Sequence, residues 1–390
     1  MHPPRIIFFL QYLLGIGHVR RATLIVQALC RQGAKVDVIF GGMPLASMSF
    51  GTATVHHLTP VKSADAAFSG LLKADGSQFS DADKAQRSRA LLDLCQQIQA
   101  DVIVTETYPF GRRQMRFELL PLLQWVKSQH RPPTLVASIR DILQRRSSKR
   151  EQECMALLQE HYQQVLVHGD ENFYPLQQSF PPAAAINHQL SYSGYVCPQL
   201  QESGTDKRAT TEAKIIISIG GGSVGREILE AALSLYHSGF ASDRQWLLIT
   251  GPNMSPADKA YFQRHSDQRL SVTELADNFL QQLNSAYVSV SMAGYNTVMD
   301  LLLTKVAAVV IPFEGEGETE QLARSEVLAA KGVFQVLRIG QLNCDNLRRA
   351  IDAATTQPGA AVSIDNCGAD NSAELLIKWA LQRRNSTANV

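Results

Sequence analysis

At 390 residues the chain has material for two or three domains, each large enough for its own hydrophobic core. Its 37 Lys and Arg balance 36 Asp and Glu, so no bulk charge drives it onto nucleic acid or an anionic membrane, and any anion site must be local. Six dispersed cysteines (Cys30, Cys95, Cys154, Cys197, Cys344, Cys367) form no C-x-x-C pair, which argues against a zinc or redox motif. No run of ~18 apolar residues marks a membrane span, and the N-terminus offers no signal cleavage site, so the expected location is cytoplasmic.

In chain order, the first unit reads as βαβ: strand Arg5–Leu10, the glycine loop LLGIGHVRR, helix Arg21–Arg31, a stop at Gly33 and strand Lys35–Phe40. Both strands are continuous apolar runs, as expected where helices cover both faces of a parallel sheet. Similar short runs recur at Val102–Thr105, Thr134–Ile139 and Val165–His168, spaced for intervening helices. Residues 108–126 mix Arg112, Arg113 and Arg116 with Phe and Leu; an amphipathic helix packed on the sheet is the expectation, and a membrane-facing surface the alternative.

Residues 198–213 are polar, aperiodic and begin with Pro, as a linker does. The pattern then restarts: strand Lys214–Ile219, a glycine loop, helix Val224–Tyr236, and strands Gln245–Thr250, Ala286–Ser291, Ala307–Pro312 and Phe334–Leu337. The fold expected is α/β, with two Rossmann-like doubly wound parallel-sheet domains facing a cleft. The first spans 1–197 and the second 214–372; residues 373–390 form a C-terminal helix able to pack back on the first.

Three loops follow strand ends, where open parallel sheets bind ligands against helix N-termini. In the first, Gly15 and Gly17 allow a tight turn and His18 is placed to meet a reacting hydroxyl; a structural histidine is the competing account. Arg20 and Arg21 read first as solvated groups or partners of carboxylates, and only second as phosphate ligands. The second loop, GGGSVG at 220–225, matches G-x-G-x-x-G, yet the next strand ends in Thr250-Gly251-Pro252 without the carboxylate that NAD binding needs. What remains is a phosphate cradle, with Gly221, Gly222 and Ser223 at its centre, or a plain tight turn.

The third constellation is AGYNTVMD at 293–300, followed by PFEGEGETEQ at 312–321. A helix starting near Gly294, Tyr295, Asn296 and Thr297 points N–H groups at a diphosphate, and Asp300, one turn on, is suited to a ribose diol or is an ordinary surface acid. The glutamates of 314–320 lack the spacing of a cation loop, so no metal is expected; Glu320 and Gln321 are placed for sugar hydroxyls.

With these residues together, the chain resembles the GT-B superfamily of nucleotide-sugar glycosyltransferases, and is most similar to its MurG-like branch with a family 28 C-terminal domain. The carriers are GIGHVRR at 15–21, GGGSVG at 220–225, AGYNTVMD at 293–300 and the stretch 312–332. Within the branch it is similar to a group of predicted glycosyltransferases with G-x-G-H-x-R-R, Tyr108–Arg112 (YPFGR) and Arg140–Leu143 (RDIL) segments. The resemblance implies that Ser223 and the backbone at Tyr295–Thr297 hold the diphosphate. It puts Asp300 on the ribose, Glu320 and Gln321 on the donor sugar and His18 on the acceptor side. Two departures stand out: Gly194-Tyr195-Val196-Cys197 replaces the segment that carries a donor arginine in MurG, and Asp300 stands where Glu is usual.

The activity implied is inverting, metal-independent transfer from a nucleoside diphosphate sugar, a UDP-sugar first, to an acceptor hydroxyl, with His18 as base. The G-x-G-H-x-x-R loop also resembles that of UDP-sugar hydrolases acting in nonulosonic acid synthesis. A nucleotide-sugar hydrolase or epimerase, or a non-catalytic nucleotide-sugar-binding protein, are therefore the alternatives. The expected partners are a nucleotide sugar and an acceptor, not nucleic acid; membrane attachment is not predicted, although a lipid-linked acceptor would bring the chain to a membrane surface.

Overall fold

The computed structural model describes residues 2–13, 17–44, 48–64, 70–198, 213–315, 319–356 and 364–388. The chain divides into two compact units, Met1–Cys197 with Ile364–Val390, and Pro198–Ser363.

The first unit runs β1 (Arg5–Leu10), α1 (Gly17–Arg31), β2 (Lys35–Phe40), β3 (Thr54–His57) and a two-stranded hairpin of β4 (Lys62–Ser63) and β5 (Leu71–Leu72). It continues with α2 (Asp81–Ile98), β6 (Val102–Glu106), α3 (Arg116–Ser128), β7 (Thr134–Arg140), α4 (Ser148–His161), β8 (Gln164–His168) and β9 (Leu190–Tyr192). Seven strands form one parallel sheet in the order β3-β2-β1-β6-β7-β8-β9. The central strand β1 shows why its sequence is apolar throughout. Ile7 and Phe9 enter a layer with Leu91 of α2 and Leu119 of α3, while Ile6, Phe8 and Leu10 enter the opposite layer with Ile25 and Leu29 of α1.

Helix α1 begins one turn earlier than the sequence suggested. The apolar positions Val19, Ala22, Ile25, Val26 and Leu29 keep helical spacing back to Val19, so the turn holding Gly17 and His18 is pulled into the helix. The last helix of the chain, Gly368–Ala388, also belongs to this unit: Ala373, Leu376, Trp379 and Ala380 join the layer under α1. Arg383 and Arg384 fix it further through Asp101, at 3.0 and 2.6 Å.

The second unit runs β10 (Ile215–Ser218), α5 (Arg226–His237), β11 (Trp246–Ile249), α6 (Pro256–Gln263), β12 (Leu270–Thr273), α7 (Phe279–Asn284), β13 (Val288–Met292), α8 (Tyr295–Thr304), β14 (Ala308–Ile311), α9 (Glu320–Ala330), β15 (Gln335–Val336) and α10 (Cys344–Thr356). Its parallel sheet has the order β12-β11-β10-β13-β14-β15. Both units are thus α/β with doubly wound parallel sheets. Among the described residues no helix is long and apolar enough to cross a membrane.

Candidate functional site

In each sheet the strand order reverses once. In the second unit β10 has β11 on one side and β13 on the other, so the loops leaving β10 and β13 border the point where such sheets take ligands. Those loops are the glycine loop 219–225 and the segment 293–297.

The glycine loop is held by close backbone approach. Gly222 has φ +83°, and a Cβ there would lie 2.3 Å from the Thr250 carbonyl oxygen. Gly251 has φ +76°, and a Cβ there would lie 2.4 Å from the Gly220 carbonyl oxygen. Asn253 N–H donates to the Gly221 carbonyl at 2.8 Å, so the loops after β10 and β11 interlock. Gly221, Ser223 and Val224 remain exposed on the outer side. Beside them α8 starts at Tyr295 with Gly294 as its cap residue, a glycine with no side chain to cap the positive end of the helix dipole. The space over Gly294 is open: a Cβ there would meet nothing within 4 Å.

Other predicted groups stand further in. Asn296 and Thr297 are half-buried, but Asp300 is 2% exposed and so lies on the inner side of α8 rather than at its surface. Glu320 is 3% exposed and pairs with Arg324 at 2.9 Å, and the Arg324 guanidinium lies 5.4 Å from the centre of the buried Tyr295 ring. Gln321 Oε1 accepts from the Phe313 N–H at 3.1 Å, so this side chain shapes the loop after β14. Of the acidic stretch, Glu314 is paired with Arg338, and Glu316 and Glu318 lie outside the described residues.

The first unit repeats the switch at β1 and β6. Gly15 lies outside the described residues; Gly17 opens α1, and His18 sits in its first turn. His18 Nε2 is 3.1 Å from the Gln11 carbonyl oxygen and 2.8 Å from Arg112 Nη2, and its Nδ1 is 3.2 Å from that same Nη2. In either neutral tautomer the lone pair of the ring therefore faces a guanidinium N–H. Burial holds His18 well below the usual imidazole range, and Arg112, Arg21 and Arg140 add repulsion. The ring is consequently neutral at neutral pH, the state a general base requires.

Arg20 is exposed, whereas Arg21 is 3% exposed and pairs with the buried Glu106 at the end of β6. Glu106 also accepts from Ser138 Oγ at 2.5 Å, and that oxygen lies 2.8 Å from Nε2 of the buried His168. The chain of contacts runs on to Ser193 Oγ, 3.0 Å from His168 Nδ1. Arg21 thus takes the carboxylate-paired role.

Sequence reasoning overlooked Arg112, Glu106 and His168 as members of this constellation. Their signal was positional: each follows or ends an apolar run, but only the strand order puts β6 beside β1. The expected amphipathic helix is found, since Arg113 and Arg116 pair with Glu153 at 3.2 and 2.8 Å while Leu119, Leu122 and Leu123 fill the core. The segment Gly194–Cys197, which stands in place of a donor arginine, packs within the first unit: Tyr195 N–H donates to Asp365 and its carbonyl accepts from Gly368 N–H at 3.1 Å.

Comparison with known proteins adds the following. Residues 216–377 match the glycosyltransferase family 28 C-terminal domain. The UDP-N-acetylglucosamine–N-acetylmuramyl-(pentapeptide) pyrophosphoryl-undecaprenol N-acetylglucosamine transferase of Thermosipho africanus is 24% identical over 140 residues, which cover 36% of this chain and 39% of that one. The protein of the same name from Campylobacter jejuni is 23% identical over 174 residues, covering 45% and 50%. The chain thus spans half or less of the length of the curated relatives it matches. Among solved structures, the calicheamicin glycosyltransferase CalG4 superposes with a TM-score of 0.61 at 14% identity, covering 97% of this chain and 95% of that one. Acinetobacter baumannii MurG gives 0.55 at 13% identity, covering 97% and 100%. SnogD from Streptomyces nogalater gives 0.57 at 16% identity, covering 99% of both. The two-domain α/β fold is that of these GT-B glycosyltransferases.

Proposed function

We propose, from the premise that this is a MurG-like chain of the GT-B fold with a family 28 C-terminal domain, that it is a glycosyltransferase moving a sugar from a nucleoside diphosphate sugar to an acceptor hydroxyl. The observation that carries the reading is the N-terminus of α8, with glycine at its cap, beside the exposed face of the glycine loop at the switch point of the second unit. Such a site suits a diphosphate, because backbone N–H groups and the helix dipole favour anions there. The donor named by the curated relatives, a UDP-sugar, is the one we propose to be used here.

In the reaction proposed, the acceptor oxygen forms a bond to the anomeric carbon from the face opposite the diphosphate, inverting that centre. The bond from that carbon to the diphosphate oxygen breaks, and its electron pair leaves with the nucleotide. The hydroxyl proton passes to the imidazole of His18. The α8 N–H groups and Ser223 stabilise the charge growing on the diphosphate. No metal is assigned: Glu314 and Glu320 are already neutralised by Arg338 and Arg324.

Thermal unfolding with UDP, TDP, GDP and NAD, each in EDTA and in Mg²⁺, tests this reading. UDP in EDTA is expected to protect, by about 2.7 kcal/mol at 100 times its Kd. Protection by NAD alone, or by nothing at millimolar ligand, would sink the nucleotide-sugar reading. Release of free sugar from the protected donor without acceptor would convert it to a hydrolase.

A further inference from the structure

Arg112 is the anomaly of the first unit. Its guanidinium is held against His18 with the Nε buried and without a hydrogen-bond partner, and it makes no ion pair among the described residues. Burying a cation without a counter-charge is costly, and a neutral imidazole returns little of that cost. The nearby carboxylate, Glu106, is committed to Arg21 and to Ser138. The turn presenting Arg112 is itself strained: Thr107 has φ 70° and Arg112 φ 58°, both left-handed, and a β-branched residue there is a true outlier. A fold that stores cost at one cation, at a strand switch point, has that cation waiting for something.

We infer that Arg112 is a latch on His18 that opens when an oxyanion of the incoming acceptor, a phosphate, sulfate or carboxylate, docks on its guanidinium. Unliganded, the latch occupies the lone pair of His18 and repels its proton, so the base is idle and activation of stray water is suppressed. Docking draws the N–H donors of Arg112 onto the oxyanion, frees the lone pair and replaces a bare cation beside the ring with a neutralised pair. Burial, with Arg140 and Arg21 adding to it and Glu106 opposing it, brings Arg112 down to about 10. The charged groups facing the ring are Arg21 of α1, Arg112 after β6 and Arg140 of β7. The proposal rests on His18 being the base of the proposed transferase, and makes Arg112 a positioning and specificity residue, not a catalytic one.

The test reads the proton of His18 directly, so its failure is distinct from failure of the transferase reading. The full-length protein carries ¹³C,¹⁵N-histidine, His18 is assigned by its loss in His18→Gln, and its titration is followed by NMR with and without sodium sulfate at constant ionic strength. Sulfate keeps its charge across the range, so only the protein titrates. Sulfate is expected to raise the midpoint of His18 by about one pH unit or more, the scale set by an anion within a few ångströms. In Arg112→Gln the midpoint is expected to rise without sulfate and to stop responding to it. Arg112→Lys, which keeps the charge but loses the planar fork, should keep the fold and bind sulfate several-fold more weakly. No sulfate response in the wild type, or the same response in both variants, would overturn the latch.

Discussion

Two histidines near the β1–β6 switch point are both held neutral by burial, and they differ in what they can do. His18 is half-buried in the first turn of α1 and reaches Arg112, whereas His168 is fully buried between Ser138 and Ser193. His18→Ala is expected to lower kcat by ~10²–10⁴, the ordinary worth of a general base, with little change in UDP affinity, because the proposed diphosphate site is built from the second unit. Steady-state kinetics paired with calorimetric UDP binding checks this; an equal loss in both removes His18 from the base role. His168 instead sets a pH dependence of folding. Burial, and then Arg21, hold it well below the usual imidazole range, so near pH 6.5 the unfolded chain takes up a proton that the folded chain refuses. Stability is therefore full above about pH 6.5 and falls as the pH drops below it, with a slope approaching about 1.4 kcal/mol per pH unit from this one residue. His18 pulls in the same direction. Urea unfolding at pH 7.5 and 5.5 should show the loss, and His168→Gln should flatten it.

At the scale of elements, the second unit separates glycines that the fold needs from one that leaves room for a ligand. Gly222→Ala forces a Cβ onto the Thr250 carbonyl at a positive φ, and is expected to lower stability by more than the 1–2 kcal/mol of left-handed strain alone. Gly220→Ala, at φ +66° with nothing within 4 Å of a Cβ, should cost only that strain. Gly294→Ala, in allowed backbone and open space, should change stability by less than about 1 kcal/mol yet weaken UDP binding, since the new methyl fills the approach to the α8 N–H groups. Thermal unfolding with and without UDP reads all three, and unaltered UDP protection in Gly294→Ala would move the diphosphate elsewhere. These same elements show what a sequence carries. The central strands β1, β6, β10 and β13 are buried on both faces, so their apolar runs were unmistakable. The strands β3 (TVHH at Thr54–His57), β9 and β12 lie at or near sheet edges, are short and partly exposed, and were not legible as strands. The glycine loops and the start of α8 were legible because glycine marks close backbone approach. Arg112 was not, because its meaning depends on β6 lying beside β1, a pairing made by residues more than 90 apart, as in its contact with His18.

At the scale of the whole molecule, the first unit is closed by the two ends of the chain. The C-terminal helix, α11 (Gly368–Ala388), lays Leu376 and Trp379 into the layer formed by β1 and α1, and Arg384 reaches the carbonyls of His2 and Pro3 as well as Asp101. The match to the family 28 C-terminal domain runs on to residue 377, past the boundary of the second unit and into this helix. The helix also touches the site's supporting network, with Ser372 Oγ 3.3 Å from His168 Nδ1. A C-terminal change should therefore be felt at the opposite end of the sequence. Leu376 is fully buried, and Leu376→Ala is expected to cost about 2–5 kcal/mol, the range for a buried leucine replaced by alanine. The loss belongs to the first unit: amide hydrogen exchange should quicken across α1, β1 and β6, while β10 and β13 keep their protection and UDP binding its affinity. Because the two ends of the chain share one core, trimming the chain before residue 364 should be more severe than any single substitution. It uncovers Trp379's partners and leaves Asp101, 6% exposed in its side chain, without either arginine. Were the shortened protein to keep native protection in β1 and β6, α11 would be an ornament on the first unit and not part of its core.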